Sequence, residues 1–241
     1  GRYLLAAAES RKTGEADAGI LKLMGEAKMP EVVERYLRAV EANNPVGALI
    51  AYPGSPLLVA QALREQDRLA ACELQPEEAA ALKELFAHDA RVAVHARDGY
   101  GAIKAMLPPK LGNTKFARGL VLIDPPYEVQ DNEYPQIISS VREAMERWPQ
   151  ATYAIWYPIK LRRSLQPFFR KAAVLPGKSV MLAELQVRAD DSPLRLNGSG
   201  MVIINPPWKF DQQLAPALPV LKKALGEASA TTRLEWLKTG D

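Results

Sequence analysis

The chain has 241 residues, 48% of them hydrophobic and 24% charged, with a formal net charge of +3. That length supports one substantial α/β domain with room for a small insertion. No apolar run approaches the roughly 20 residues that cross a bilayer, the single Cys72 excludes an internal disulfide framework, and two histidines with one cysteine argue against a structural zinc site.

The modest positive charge is compatible with a nucleic-acid partner without requiring one, and no signal peptide is read, so a reducing cytoplasm is the expected compartment. Gly1-Arg2-Tyr3-Leu4-Leu5 opens the chain with no cap or strand ahead of it, which reads as a domain lacking its N-terminal segment. Residues 4–50 are polar, helix-rich and punctuated by Gly14, Gly19 and Gly25. Glu31–Glu41 carries apolar residues at helical spacing behind Pro30, and Asn43-Asn44-Pro45 stops it. This stretch predicts a helical insertion over residues 10–50 inside one domain spanning 1–241. At Tyr52-Pro53-Gly54-Ser55-Pro56 the pattern changes: Ser55 is placed to N-cap a helix with Pro56 at its first position, running to Gln66. A strand over Arg68–Leu74, a helix over Pro76–Ala87, a strand at Val92–Val94 and a helix from Gly99 to about Leu107 follow. Lys110–Arg118 is a basic loop. Gly119–Ile123 is an unbroken apolar run, read as a buried strand, and it stops in Asp124-Pro125-Pro126-Tyr127. Beyond it come a helix over Asn132–Trp148, a strand over Thr152–Trp156, a helix over Leu161–Ala173, two longer strands over Val180–Arg188 and Met201–Asn205, a helical stretch over 209–225, and a last strand over Arg233–Leu237. Strands alternating with helices predict an α/β fold whose mostly parallel sheet is covered on both faces, with an antiparallel edge from the late strands.

The strand ends carry the chemistry, because ligands on open α/β sheets sit beyond the carboxyl ends of the strands. An exocyclic amine conjugated to a ring has two hydrogens and a weakly nucleophilic lone pair. The Asp124 carboxylate can accept one hydrogen and the Pro125 carbonyl the other, and the consecutive prolines keep both acceptors aimed. Tyr127 offers a face to a flipped-out base. Such a clamp suits transfer of a methyl group from a sulfonium to nitrogen; a proline chain stop is the structural alternative. Glu73 could hold the ribose hydroxyls of a nucleoside cofactor, or be a solvated strand terminus. Asp98-Gly99 could lie beside an adenine ring, or Asp98 could cap the helix at Gly99. Asn205-Pro206-Pro207-Trp208 repeats the clamp in an Asn form. Its place after the late strands predicts a sheet-edge position and a structural role, so Asp124 is preferred. Trp156-Tyr157-Pro158 ends its strand either as pocket lining or as packing. Lys110, Lys115 and Arg118, with Lys160, Arg162 and Arg163, are expected on one face of the sheet, as phosphate contacts or ordinary solvated surface. His88 and His95 lack ligand spacing and read as structural, and Cys72 reads as a small buried hydrophobe.

The series Tyr52-Pro53-Gly54-Ser55-Pro56, Leu63–Asp67, Cys72–Pro76, Asp98-Gly99, Leu122–Glu128, Trp156-Tyr157-Pro158 and Gly200–Lys209 resembles the RlmJ family in order along nearly the whole chain. These are bacterial 23S ribosomal RNA adenine-N6 methyltransferases that use S-adenosylmethionine. The resemblance implies a class I, Rossmann-like methyltransferase sheet with a small helical insertion near the N-terminus. It implies that Gly1, Ser55, Glu73, Asp98, Gly99 and Asp124 contact the methyl donor, that Asp124 with Pro125 is the catalytic acceptor, and that Tyr127 stacks on the adenine. It further implies S-adenosylmethionine without a metal, 23S rRNA as partner, no membrane, and a monomer in the cytoplasm. The departure is at the front. The family has a histidine-bearing N-terminal segment and a strand leading into a Gly-rich loop, and Gly1 stands where the last Gly of that loop would be, so weak donor binding is expected of a chain beginning there. A DNA adenine-N6 methyltransferase, or a non-enzymatic nucleic-acid-binding protein linked to utilisation of external DNA, are the alternatives.

Overall fold

A computed structural model of the chain describes residues 1–5, 15–26, 28–127, 130–192 and 196–240. Contacts divide it into two compact units, Gly1–Ala102 and Ile103–Asp241.

The first unit begins with an antiparallel ribbon of β1 (Arg2–Leu4) and β2 (Ala51–Pro53). Between them lie three helices, α1 (Glu15–Ala18), α2 (Ile20–Met24) and α3 (Glu31–Glu41). Apolar residues of α3 recur every three or four positions, and Val33 and Val40 are buried. Asn44 closes the turn that follows: its Oδ1 accepts the Ile50 and Ala51 N–H groups at 2.8 Å each. Helix α4 (Ser55–Ala62) begins one residue earlier than expected from the sequence. Gly54, not Ser55, occupies its N-cap, and the helix ends at Ala62 because Leu63 is already extended. Two strands, β3 (Leu69–Glu73) and β4 (Val92–Ala96), pair in parallel around α5 (Pro76–Leu85). Their small core is Ala60, Leu82 and Phe86, packed on by Leu57, Leu69, Val92 and Val94. Cys72 is only half-buried. Helix α6 (Gly99–Met106) crosses the boundary between the units.

The second unit opens with a basic hairpin, β5 (Lys110–Leu111) and β6 (Thr114–Lys115), inside what reads from sequence as a loop. Its centre is a five-stranded mixed sheet formed by β7 (Leu120–Ile123), β8 (Thr152–Ile159), β9 (Val180–Gln186), β10 (Gly198–Ile204) and β11 (Thr231–Lys238), in the order β11-β9-β10-β8-β7. Only β7 and β8 are parallel; the other three pairings are antiparallel. Strand β8 is closed to solvent at Tyr153, Ile155, Tyr157 and Ile159 on one face and buried at Ala154 and Pro158 on the other, and it runs through Trp156-Tyr157-Pro158 instead of ending there. Helix α7 (Gln130–Arg147) buries Ile137, Val141, Ala144 and Met145. Helix α8 (Gln166–Ala173), led by a 3-10 turn over Arg162–Leu165, buries Phe168, Phe169 and Ala172. The stretch expected as one helix over 209–225 is two, α9 (Phe210–Leu214) and α10 (Ala217–Leu225), because Pro216 supplies no N–H. Among the described residues no helix is long and apolar enough to cross a membrane.

One carboxylate is embedded in this sheet. The Glu184 side chain is fully buried on β9, and a buried charge persists only with partners. Tyr157 donates to its Oε1 at 2.9 Å, and Arg162 sits 3.3 Å and Arg233 4.0 Å from Oε2. The guanidinium of Arg233 also lies 5.5 Å from the centre of the Phe169 ring. Gly200 makes the room, since a Cβ there would run into the Tyr157 hydroxyl and the Glu184 side chain. Gly200→Ala is therefore expected to cost about 1–3 kcal/mol through overpacking, read as a lower urea midpoint at unchanged m-value.

Candidate functional site

The parallel pair β3–β4 brings Glu73 and Asp98 to one end. Glu73 is in register with Ala96, two residues before Asp98, and the Arg97 N–H donates to the Glu73 carbonyl at 3.0 Å. Glu73 Oε1 accepts the Gln75 N–H at 2.8 Å, while Oε2 takes no hydrogen bond among the described residues. Both Asp98 oxygens serve the start of α6, accepting from Tyr100 N at 3.2 Å and Gly101 N at 2.6 Å, so Asp98 is a helix cap. Gly99 beside it faces open space. Gly1 meets Gly54, the residue before Ser55, beside the β1–β2 ribbon. The Gly54 N–H donates to the Gly1 carbonyl at 2.8 Å, and a Cβ on Gly54 would crowd that same carbonyl. The exposed Ser55 side chain makes no capping bond. For a nucleoside donor the fit is favourable at Glu73 Oε2, an acceptor with capacity left for a hydroxyl, and at Gly99, where no side chain obstructs a close approach.

In the second unit Asp124 stands directly beyond β7. Ile123 is in register with Ile155, which sets Asp124 level with Trp156 on the longer strand β8. Much of Asp124 is open to solvent, and its carboxylate accepts no hydrogen bond among the described residues. Enough protein surrounds the carboxyl to strip hydration from the anion, and this burial lifts its pKa. Pro125 is half-buried and Pro126 exposed, so the turn is presented and not packed away.

Tyr127 behaves differently. It is 8% exposed, its hydroxyl donates to the Trp156 carbonyl, and its ring lies 5.5 Å from Tyr134 and 5.7 Å from Trp156. Tyr134 continues the cluster to Phe168 at 4.7 Å. Its hydroxyl is buried without a hydrogen-bond partner among the described residues, and burial pushes its pKa up to about 12. The aromatic wall beneath Asp124 was only partly visible in the sequence: Trp156 stood out, whereas Tyr134 and Phe168 carry no motif, and only helical phase could have marked them.

Asn205 is placed at the other end of the sheet. Strand β10 lies between β9 and β8, not at an edge, and it runs antiparallel to β8, with Met201 opposite Trp156 and Ile204 opposite Tyr153. Asn205 thus exits beside Thr152, about 13 Å along the strands from the level of Asp124. The basic residues adjoin different ends of the strands. Arg118 adjoins Gly119, whose carbonyl accepts the Thr152 N–H at the start of β8, while Lys160 and Arg163 follow the end of β8, on the Asp124 side. Arg162 is committed to Glu184 and Thr231. Among the described residues no cluster of His, Cys, Asp or Glu has the makings of a metal site.

The chain has relatives among known proteins. The family model described as "Ribosomal RNA large subunit methyltransferase D, RlmJ" matches residues 1–238. The protein named Ribosomal RNA large subunit methyltransferase J of Haemophilus influenzae is 39% identical over 239 residues, covering 98% of this chain and 83% of that one. The protein of the same name from Escherichia coli is 37% identical over 225 residues, covering 93% of this chain and 78% of that one. A crystal structure of a Legionella pneumophila protein superposes with a TM-score of 0.83 at 29% identity, covering 100% of this chain and 85% of that one. An α/β chain with these relatives is an enzyme of the methyltransferase class. It belongs to the RlmJ family.

The raised pKa of Asp124 has a signed consequence. Folding disfavours the ionised carboxyl, so its cost to stability is fully present above the folded pKa and vanishes below the unfolded one. Asp124→Asn is expected to melt slightly higher than the parent at neutral pH, and the difference should disappear as the pH falls below the ordinary Asp range, followed by calorimetry.

Proposed function

We propose that this chain transfers a methyl group from S-adenosylmethionine to N6 of an adenine in 23S ribosomal RNA. The observation that carries the reading is the Asp124 carboxylate: presented at the end of a parallel strand, without a protein partner among the described residues, in a setting that disfavours its charge. Membership of the RlmJ family supports both the substrate and the donor.

The residues divide the work by position. Glu73 would hold hydroxyls of the donor's ribose, Asp98 and Gly99 would border its adenine, and Gly1 and Ser55 would lie along its other end. Asp98 acts there mainly by fixing the α6 turn, since its oxygens are already engaged. S-adenosylmethionine would supply an electrophilic methyl on a positively charged sulfur. Asp124 accepts one hydrogen of the substrate amine and the Pro125 carbonyl the other, which pushes electron density onto nitrogen and fixes its lone pair. Formation of the nitrogen–methyl bond would break the sulfur–methyl bond and leave the donor as a neutral thioether, and the nitrogen, cationic at that point, would release a proton; Asp124, whose pKa is raised by burial, is the adjacent base. Tyr127, pinned through its hydroxyl to Trp156, supplies a fixed aromatic wall for the base. Beyond the end of β8, Lys160 and Arg163 are exposed and make no ion pair among the described residues, so they are free for backbone phosphates.

The finer architecture belongs to the same proposal: a class I, Rossmann-like domain over 1–241 with residues 10–50 as a helical insertion, acting as a monomer in the cytoplasm. The parallel pairs β3–β4 and β7–β8, each with its acid at the carboxyl end, support it.

The test is methyl transfer from labelled donor to protein-free 23S rRNA and, separately, to duplex DNA. Label in RNA N6-methyladenine is expected; label confined to DNA would move the enzyme to another substrate. Asp124→Ala is expected to lower kcat by about 100-fold or more while donor binding, measured by calorimetry, weakens only modestly. Near-normal turnover in that variant would sink the assignment.

A further inference from the structure

The exit Asn205-Pro206-Pro207-Trp208 has no part in the chemistry at Asp124, and its backbone is unusual. Asn205 (φ 51°) and Lys209 (φ 57°) both occupy the left-handed region that side chains rarely adopt. Five hydrogen bonds hold Asn205. Its N–H donates to the Ser179 carbonyl at 3.0 Å, and its Nδ2 donates to the carbonyls of Pro149 at 3.0 Å and Ala151 at 3.1 Å. Its Oδ1 accepts the Lys178 N–H at 2.9 Å, and its own carbonyl accepts the Thr152 hydroxyl at 2.8 Å. With two prolines behind it, the segment is stiff. What it displays is Trp208, 85% exposed, with the Lys209 ammonium 6.0 Å from the ring centre. The loop closes this end of the sheet through Asn205 and, being stiff, holds the tryptophan in water, where its face is open to a partner.

The charges nearby identify the kind of partner. Lys178 is tied to Asn205 through its backbone. Arg118 precedes Gly119, which pairs with Thr152 at 2.9 Å, and Thr152 is itself bonded to Asn205. Lys178, Lys209 and Arg118 are all exposed, and none makes an ion pair among the described residues. Asp211, the nearest acid along the chain, lines a cavity with Met181, Glu235 and Trp236. A flat ring among unpaired cations matches the platforms that bind single-stranded nucleic acid, where the ring stacks on a base and the cations take phosphates. A protein partner fits less well, because lysine is depleted from protein–protein interfaces.

We propose that Trp208, with Lys209, Lys178 and Arg118, forms a second RNA-binding surface at the end of the sheet opposite Asp124, stacking an unpaired base of the same ribosomal RNA. The proposal rests on the RNA methyltransferase reading for its ligand. It adds a site about 13 Å along the strands from the reacting amine.

The test measures binding of the protein to protein-free 23S rRNA in the absence of donor, over a salt series, alongside methyl-transfer kinetics. Trp208→Ala should weaken binding about tenfold and raise KM with kcat unchanged. Trp208→Phe, which keeps an aromatic face, should recover most of the affinity. Lys209→Asn, which tolerates the left-handed backbone, should lower the salt slope by about one. Thermal melts of all three should match the parent, since both side chains are exposed. Parental affinity and salt slope in Trp208→Ala and Lys209→Asn would overturn the proposal and hand the surface to a protein partner. A parent chain that binds 23S rRNA through Trp208 but transfers no methyl would defeat the catalytic reading alone.

Discussion

The antiparallel pairing of β10 with β8 separates two tetrapeptides of nearly the same composition. Asp124-Pro125-Pro126-Tyr127 follows β7, which runs with β8, and Asn205-Pro206-Pro207-Trp208 follows β10, which runs against it. Hydrogen-bond direction therefore sends the two exits to opposite ends of one sheet. At one end the acid is left without a partner beside an aromatic wall. At the other the amide is consumed by backbone groups and the tryptophan is turned outward. Similar local sequence thus leaves an uncommitted carboxylate in one place and an exposed tryptophan in the other.

The carboxylates show the same sorting by environment. Glu184 is buried among Tyr157, Arg162 and Arg233, and its charge is held by partners that also tie β11 and the Arg162 turn to the sheet. Asp98 spends both oxygens on the first turn of α6. Glu73 spends one and keeps the other. Asp124 spends none among the described residues, and lost hydration raises its pKa. A group committed to its own fold cannot also grip a ligand, so the uncommitted acceptors are where chemistry is to be sought.

Aromatic residues divide likewise. Tyr127, Tyr134, Trp156 and Phe168 form a connected set, with neighbouring ring centres between 4.7 and 5.7 Å apart. Their packing fixes the orientation of each ring against its neighbours. Trp208 lies outside this set, and its exposure is imposed by the stiff backbone that carries it.

What the sequence determined by itself was local. The apolar run into Asp124-Pro125-Pro126 marks a strand and its abrupt end, because proline removes the donors that would prolong it; the burial expected of that strand is not found, since Leu120 and Leu122 are exposed and only Ile123 is buried. The same reasoning placed α3 residue for residue, and left Glu73 and Asp98 at strand ends. Tertiary structure alone decided the rest: that β10 slots between β8 and β9, that Tyr127 is pinned to Trp156, that Gly54 takes the cap expected of Ser55, and that the basic residues split between two ends. Pairing direction and burial depend on residues far apart in the chain, and no periodicity within a single segment records them.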